Sequence, residues 1–383
     1  MTRTLILGGG FGGLTVATEL ERLLGNEHEV VLVDRQEHFS MGLRKLWEPV
    51  GHASIADGSR SREILRDRAI HVVRGEIEDI DPRNRTATVD GEEIESDYLV
   101  VALGAVSRPD LVPGLAEYGH DVWDVAGVPA AAEALARFGG GRIVVLIAGA
   151  PYPCPPAPYE CAMHIHEHLR ARELRDGCDI SVSTVQPLLM PNAGREGSEW
   201  MGEQLTLRAI GHQVGRKIER VDSGRVVLVE GEIEYDLLIA VPPHRPPEVV
   251  KASGLTGDGE WITVDPATLA TSHPHIFAVG DVTQILLANG LPLPKAGVIA
   301  ELEGLKVAGA IAADLEGGEP PPPFDGTGAC FIEMGPGVAT LVEGNWYATP
   351  EPIVSIAEPD AARAAEKRAF ESERLERWFG AQP

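Results

Sequence analysis

The residues best suited to chemistry in this 383-residue chain are two of its four cysteines. Cys154 lies in Ala150-Pro-Tyr-Pro-Cys-Pro-Pro-Ala-Pro-Tyr-Glu160, between a strand-like apolar run and a helical run. A helix start offers bare N–H groups and a positive dipole end, which favour thiolate, so a lowered Cys154 pKa is expected. Pro155 and Pro156 suit the first turn of that helix. Cys330 lies in Gly328-Ala-Cys-Phe-Ile-Glu333, just after a proline run. Two such thiols could cycle between dithiol and disulfide if they met. Their separation, 330 − 154 = 176 residues, neither forbids nor proves it. Cys161 reads as a spare or structural thiol, and Cys178 as a small buried one. Glu160 either moves protons near Cys154 or faces solvent as a first-turn helix acid.

Other groups invite weaker readings. His164 and His168 share one helix face, with Cys161 at i−3, but no third ligand is evident. A solvated helix face is the expectation, and no metal is assigned. Arg44 and Trp47 either line a substrate or cofactor edge or pack their loop.

The composition bounds what these groups could serve. A net charge of −25 argues against a nucleic-acid partner and against docking on an anionic membrane surface. The longest apolar stretches, such as 143–148, are strand-length and far short of a membrane span. Met1 runs straight into a strand pattern with no export signal, so a cytoplasmic location is expected. In a reducing compartment the cysteines are expected to be free, catalytic or redox-cycling rather than a structural disulfide framework. No Cys-x-x-Cys-His haem attachment motif is present. The length predicts two or three domains.

The elements that must position these residues begin with 4–7, a short apolar strand. It enters Gly8-Gly-Gly-Phe-Gly-Gly13, then a helical run to Leu24 and a strand ending at Asp34. Three glycines at Gly8, Gly10 and Gly13 give a tight turn, close backbone approach to a pyrophosphate and close helix–strand packing. The helix start would hold the phosphates, with Phe11 and Gly12 in its first turn. Asp34, 34 − 13 = 21 residues after the last glycine, is placed to accept hydrogen bonds from a ribose, with Arg35 beside it.

Two later segments resemble two-dinucleotide-binding flavoproteins and choose FAD. Tyr98-Leu-Val-Val-Ala-Leu-Gly104 resembles their strand crossing, which brings Ala102, Leu103 and Gly104 to the cofactor. Ile276-Phe-Ala-Val-Gly-Asp281 resembles their second FAD motif, in which Gly280 and Asp281 meet the ribityl-phosphate region. The resemblance places Lys295 and Ala296 at a helix start facing the flavin pyrimidine ring; otherwise Lys295 is a surface lysine. The expected fold is α/β, with two Rossmann-like dinucleotide-binding domains and a small C-terminal α+β segment. The FAD-binding domain takes residues 1–112 and 245–318, and the second domain takes 113–244. A polyproline linker at 319–323 leads to a hairpin and charged helix over 324–383.

In the second domain, 143–150 leads to where a nicotinamide user would carry another glycine-rich loop. Here prolines remove the amide donors, so the domain reads as degenerate for NAD(P). At this point the chain resembles the sulfide:quinone oxidoreductase and flavocytochrome c sulfide dehydrogenase flavoproteins, over nearly its whole length. Cys154-Pro-Pro-x-Pro-Tyr-Glu160 is similar to the sulfide dehydrogenase version. The segment from Phe324 to Gly335 is similar to the C-terminal cysteine segment of both groups. The resemblance implies a Cys154–Cys330 redox disulfide beside the flavin, attacked by hydrosulfide, with two electrons passing to FAD and Glu160 moving protons.

The tail from Ala361 to Phe379 departs from membrane-bound members, being mostly charge and alanine. Phe370, Leu375, Trp378 and Phe379 would dock it on its own protein or on a second copy in a homodimer. They are too few for firm membrane insertion. The electron acceptor is left open among a quinone, a cytochrome and another redox protein. The leading reading is an FAD-dependent oxidoreductase of sulfide or a small sulfur compound. The alternatives are an NAD(P)H-dependent type II dehydrogenase or reductase, and a non-catalytic flavin-binding redox sensor or interaction subunit.

Overall fold

Strands buried on both faces read as unbroken apolar runs, and such runs assemble into parallel sheets covered by helices. The computed structural model describes residues 1–381 and builds two such sheets. In chain order the elements that matter are β1 (Arg3–Leu7), α1 (Phe11–Leu24), β2 (Glu29–Asp34), α2 (Arg44–Trp47), β3 (Ile70–Arg74) and β4 (Tyr98–Val101). Then come β5 (His120–Asp121), β6 (Gly141–Ile147), α3 (Ala157–Ala171), β7 (Cys178–Thr184), β8 (Ile210–Gln213) and β9 (Leu237–Val241). The last are β10 (Ile276–Ala278), α4 (Gly297–Glu316), β11 (Thr327–Gly335), β12 (Val338–Asn345), β13 (Ile353–Ile356) and α5 (Ala361–Phe379).

The first sheet runs β10-β4-β1-β2-β3, all parallel. The second runs β5-β9-β6-β7-β8, also parallel. After building the second sheet the chain therefore returns to the edge of the first. Each sheet has its own apolar core, with Leu5, Leu32, Val100 and Ile276 in one and Ile143, Val145, Val182 and Ile239 in the other.

The C-terminal segment is more than the expected hairpin. β11, β12 and β13 form a three-stranded antiparallel sheet. The third strand was missed because its Ile-Val-Ser-Ile is a four-residue edge with no buried face. The polyproline stretch is strapped down, since Lys306 Nζ donates to the carbonyls of Pro321 and Pro322.

The charged tail is not a solvated appendage. One stripe of α5, at Ala364, Lys367, Glu371, Leu375 and Trp378, is buried. Trp378 stands edge-on to the Phe11 ring at 5.1 Å and to Phe39 at 5.4 Å, within the core of the first sheet. Arg44 of α2 grips Glu371 through two bonds of 2.6 and 2.9 Å, a forked geometry that fixes orientation. The tail's aromatic residues thus dock on their own protein.

Candidate active site

The glycine turn after β1 forms for steric reasons. A Cβ on Gly13 would lie 1.8 Å from the Gly8 carbonyl oxygen, so no larger residue fits where α1 crosses β1. Gly8 itself has φ of +104° and abuts the Ala102 carbonyl, which brings Ala102 and Leu103 to the turn. Gly104 follows in the left-handed region. A Cβ on Gly10, by contrast, would meet nothing within 4 Å, and no side chain caps the N-terminus of α1. Open space over bare helix N–H groups fits the pyrophosphate of FAD.

Asp34 accepts from Gly9 N at 2.7 Å and Gln36 N at 2.7 Å, which aims its carboxylate at the glycine turn. Arg35 turns away to the surface beside Glu76. The arginine that reaches the glycine turn is Arg62, which the sequence pattern did not single out. Arg62 is buried, donates to the Gly9 carbonyl and lies 3.3 Å from Asp34. Phe11 does not flank the phosphate site alone, since its ring is sandwiched among Phe39, Phe370 and Trp378.

The second motif is also in place. Gly280 has φ of +75°, and its N–H donates to Glu303 of α4 at 2.5 Å. Asp281 is held above its ordinary pKa by burial. Lys295 is not a surface lysine. It precedes α4 and donates to the carbonyls of Asp281 and Thr283, with its ammonium 3.6 Å from the centre of the Trp261 ring. Burial brings its pKa down to about 8. Ala296 caps the helix beside it.

Glu303 is buried, and desolvation pushes its carboxyl up to about 8. A folded-state pKa raised above the unfolded value of about 4.3 means the native state holds the extra proton. Its stabilising contribution is present below that unfolded value and is lost as pH rises through about 8. Glu303→Gln keeps an acceptor for Gly280 N–H and removes the titration. It is expected to flatten the fall in stability between about pH 5 and 8, read by denaturant titration at several pH values. An unchanged pH profile would refute the assignment.

Cys154 sits on this scaffold with its backbone in the left-handed region, φ +59°. Its N–H donates to the Lys295 carbonyl at 2.6 Å, tying the thiol loop to the second FAD motif. Its carbonyl accepts from Ala157 N at 2.9 Å, at the start of α3. Tyr159 N and Glu160 N are taken by the Pro156 carbonyl, and Pro158 has no N–H. Trp123 Nε1 donates to Pro153 O at 2.9 Å and Tyr152 OH to Pro155 O at 3.0 Å, closing the turn. These α3 amides are thus already partnered by the loop itself.

The structure brings Cys154 and Cys330 together as free thiols, with Cys330 on the wall of a cavity that Pro155 and Pro156 also line. Their proximity raises the Cys154 pKa well above its ordinary value and lowers that of Cys330. The expectation that the helix start lowers Cys154 is therefore reversed. Two thiols this close oppose double ionisation, and the directions of their shifts favour Cys330 on β11 as the sulfur that ionises first. Cys161 is buried and pushed up to about 12, an inert thiol. Cys178 is buried too, with Sγ against the Leu174 carbonyl.

Glu160 does not face solvent. It is 2 % exposed and accepts from Glu333 N at 2.7 Å and Lys367 Nζ at 2.5 Å. Lys367, 3 % exposed, also lies 3.1 Å from Glu333 Oε2. That oxygen accepts from Trp47 Nε1 at 2.6 Å and lies 3.1 Å from His164 Nε2. His164 is thus buried rather than on a solvated face. His168 bonds the Val50 carbonyl, and no metal-holding group of three or more side chains exists among the described residues. The neighbouring cations hold Glu333 well below the ordinary carboxylate range, against its burial. The two carboxylates keep Lys367 charged above the usual lysine range, and its field offsets part of the Glu160 charge felt by both sulfurs. Lys45 is a second missed amine, bonded to Trp123 O at 2.5 Å, its pKa lowered by burial within the field of Cys154 and Asp281.

Residues 2–304 match the family model described as pyridine nucleotide-disulphide oxidoreductase. A mitochondrial sulfide:quinone oxidoreductase of Mus musculus is 24% identical over 366 residues, covering 90% of this chain and 78% of that protein. An alternative NAD(P)H-ubiquinone oxidoreductase C1 of Arabidopsis thaliana is 27% identical over 344 residues, covering 78% and 64%. The X-ray structure of the Aquifex aeolicus sulfide:quinone oxidoreductase superposes with a TM-score of 0.88 at 21% identity, covering 99% of this chain and 92% of that one. With its glycine cradle, its second motif and its paired cysteines, the chain belongs to the pyridine nucleotide-disulphide oxidoreductases and is an FAD-dependent oxidoreductase.

Proposed function

We propose that the protein oxidises hydrosulfide, or a small sulfur compound like it, at the Cys154–Cys330 pair. The observation that carries this reading is the meeting of the two free thiols, each the strongest influence on the other's ionisation, beside the loop that replaces a nicotinamide phosphate site. In the oxidised pair, hydrosulfide attacks Cys154. The Cys154–Cys330 bond breaks, a new S–S bond forms, and the products are a persulfide on Cys154 and a thiolate on Cys330. The leaving sulfur should be the one with the lower pKa, which is Cys330. Lys367 stabilises that thiolate through space, while Glu160 holds Lys367 in place. Gly8, Gly10, Gly13, Asp34, Arg62, Gly280 and Asp281 would hold FAD, which supplies a two-electron acceptor when bound.

The same geometry disfavours an NAD(P)H reading, because the first amides of α3 are bonded within the proline loop. For the electron acceptor a quinone fits best. An apolar cavity of about 50 Å³ beside Cys330, lined by Pro294, Ile332, Val342, Trp346 and Val354, would have to widen to admit its ring but offers it an apolar approach. No helix among the described residues is long and apolar enough to cross a membrane. Anaerobic addition of sulfide, and separately of NADH, to the FAD-bound protein tests the reading. Sulfide is expected to bleach the flavin band and NADH to leave it. Bleaching by NADH alone would overturn the proposal, and no response to either would favour a sensor or interaction subunit.

A further inference from the structure

Two helices begin at the cofactor site. Phe11 is the first residue of α1 and Gly297 the first of α4. A Cβ on Gly297 would lie 3.0 Å from the Phe11 ring, so the two starts are pressed together there. Two turns further along α4, a Cβ on Gly304 would lie 2.8 Å from the Gly12 carbonyl oxygen. The tail helix α5 lies across both starts. Trp378 and Phe370 cover other sides of the Phe11 ring, with centres 5.1 and 6.3 Å away. On α4, Glu301 is 4 % exposed and is bonded by Arg374 Nε at 2.8 Å and by Arg377. Arg68 donates to the carbonyls of Arg377 and Trp378 at 2.6 and 2.9 Å and to Glu21 of α1 at 2.9 Å. It ends the stretch Arg62–Arg68, whose first residue bonds the Gly9 carbonyl in the glycine turn. Trp378 is fully buried, yet its Nε1 has no partner, so the indole acts through its ring alone.

We propose that α5 is a clamp on the cofactor site. Docked, it fixes the starts of α1 and α4 relative to one another and so couples retention of FAD to attachment of the tail. The start of α1 offers bare N–H groups to the pyrophosphate, and the start of α4 adjoins Lys295 and, through it, Asp281. FAD would draw on both. A ligand that needs two elements in one arrangement loses apparent affinity in proportion to the fraction of molecules that hold it. No residue of α5 needs to touch FAD for this. With α5 undocked, Phe11 loses two of its three aromatic neighbours and Glu301 loses both its cations. The clamp rests on FAD binding alone and is independent of the sulfur chemistry at the cysteines.

The test is the rate at which FAD leaves the holoprotein on dilution, followed by the fluorescence of the released flavin. Trp378→Ala is expected to release FAD about 10²-fold faster, near the top of the usual range of coupling between two sites. Trp378→Phe keeps a ring against Phe11 and loses only an N–H that bonds nothing, so its release should stay near the native rate. Glu301→Gln loosens the second anchor in a protein that keeps its aromatic packing, and should speed release about 10-fold. Ile239→Ala, in the core of the second sheet, controls for a general loss of stability. It should lower the urea midpoint and leave FAD release close to native. Native-like release from Trp378→Ala or from Glu301→Gln, or equal acceleration by Ile239→Ala, would overturn the clamp. Should Trp378→Ala not accumulate as a folded protein, the Glu301→Gln rate decides. None of these outcomes alters whether sulfide bleaches the native protein.

Discussion

Serine in place of Cys154 or of Cys330 is expected to leave a folded, yellow protein that sulfide no longer bleaches. The loss should be roughly 10³-fold or more in the bleaching rate, because a single sulfur cannot close the disulfide that hydrosulfide must attack. FAD content should not change. The groups proposed to hold it, the glycine turn, Arg62 and the Gly280–Asp281 turn, are fixed by bonds that involve no sulfur. The two variants should differ in one respect. With Cys330 replaced, the remaining Cys154 loses the ionisable neighbour that raises its pKa, so alkylation of Cys154 should begin at lower pH. Near-native bleaching in both variants would remove the disulfide chemistry altogether.

The second large effect concerns stability. Lys367→Met removes the cation shared by Glu160 and Glu333 and leaves two carboxylates buried. Breaking a buried pair from one side typically costs about 3–5 kcal/mol, whereas replacing both partners is close to neutral. The single variant should therefore show a lowered urea midpoint. Lys367→Met combined with Glu160→Gln should recover much of the loss, since Glu333 keeps Trp47 and His164. A single variant within about 1 kcal/mol of native would mean the cluster is better hydrated than its burial implies.

The parts of this site legible in the sequence are those built from near neighbours. The Gly8–Gly13 turn, Asp34 and the proline loop around Cys154 each lie within one strand–turn–helix passage, where spacing alone constrains geometry. The tail cluster lay beyond that reach. Glu160 meets Glu333 across 173 residues and Lys367 across 207, and local periodicity is blind to such pairs. Lys367 sits in Ala-Glu-Lys-Arg-Ala, which looks like a solvated helix face. One signal was available: Ala364, Lys367, Glu371, Leu375 and Trp378 follow the three-and-four spacing of an inward stripe, with two charges inside it. His164 was read as solvated for a related reason, since α3 is buried on nearly every side over its first ten residues and carries no clear polar face. Arg35 was legible because it adjoins Asp34 in sequence, while Arg62 reaches Asp34 only through the fold.

The burial of Lys367 also bears on how the chain acquires its reactivity during synthesis. Domains generally fold as units, the earlier ones first as the chain emerges. Cys154 and Glu160 emerge long before the cation that meets Glu160 207 residues later. Until α5 docks, Glu160 lacks its cation, and its charge opposes a thiolate at Cys330. The last helix to be made thus completes the electrostatic setting of a cysteine placed more than two hundred residues before it.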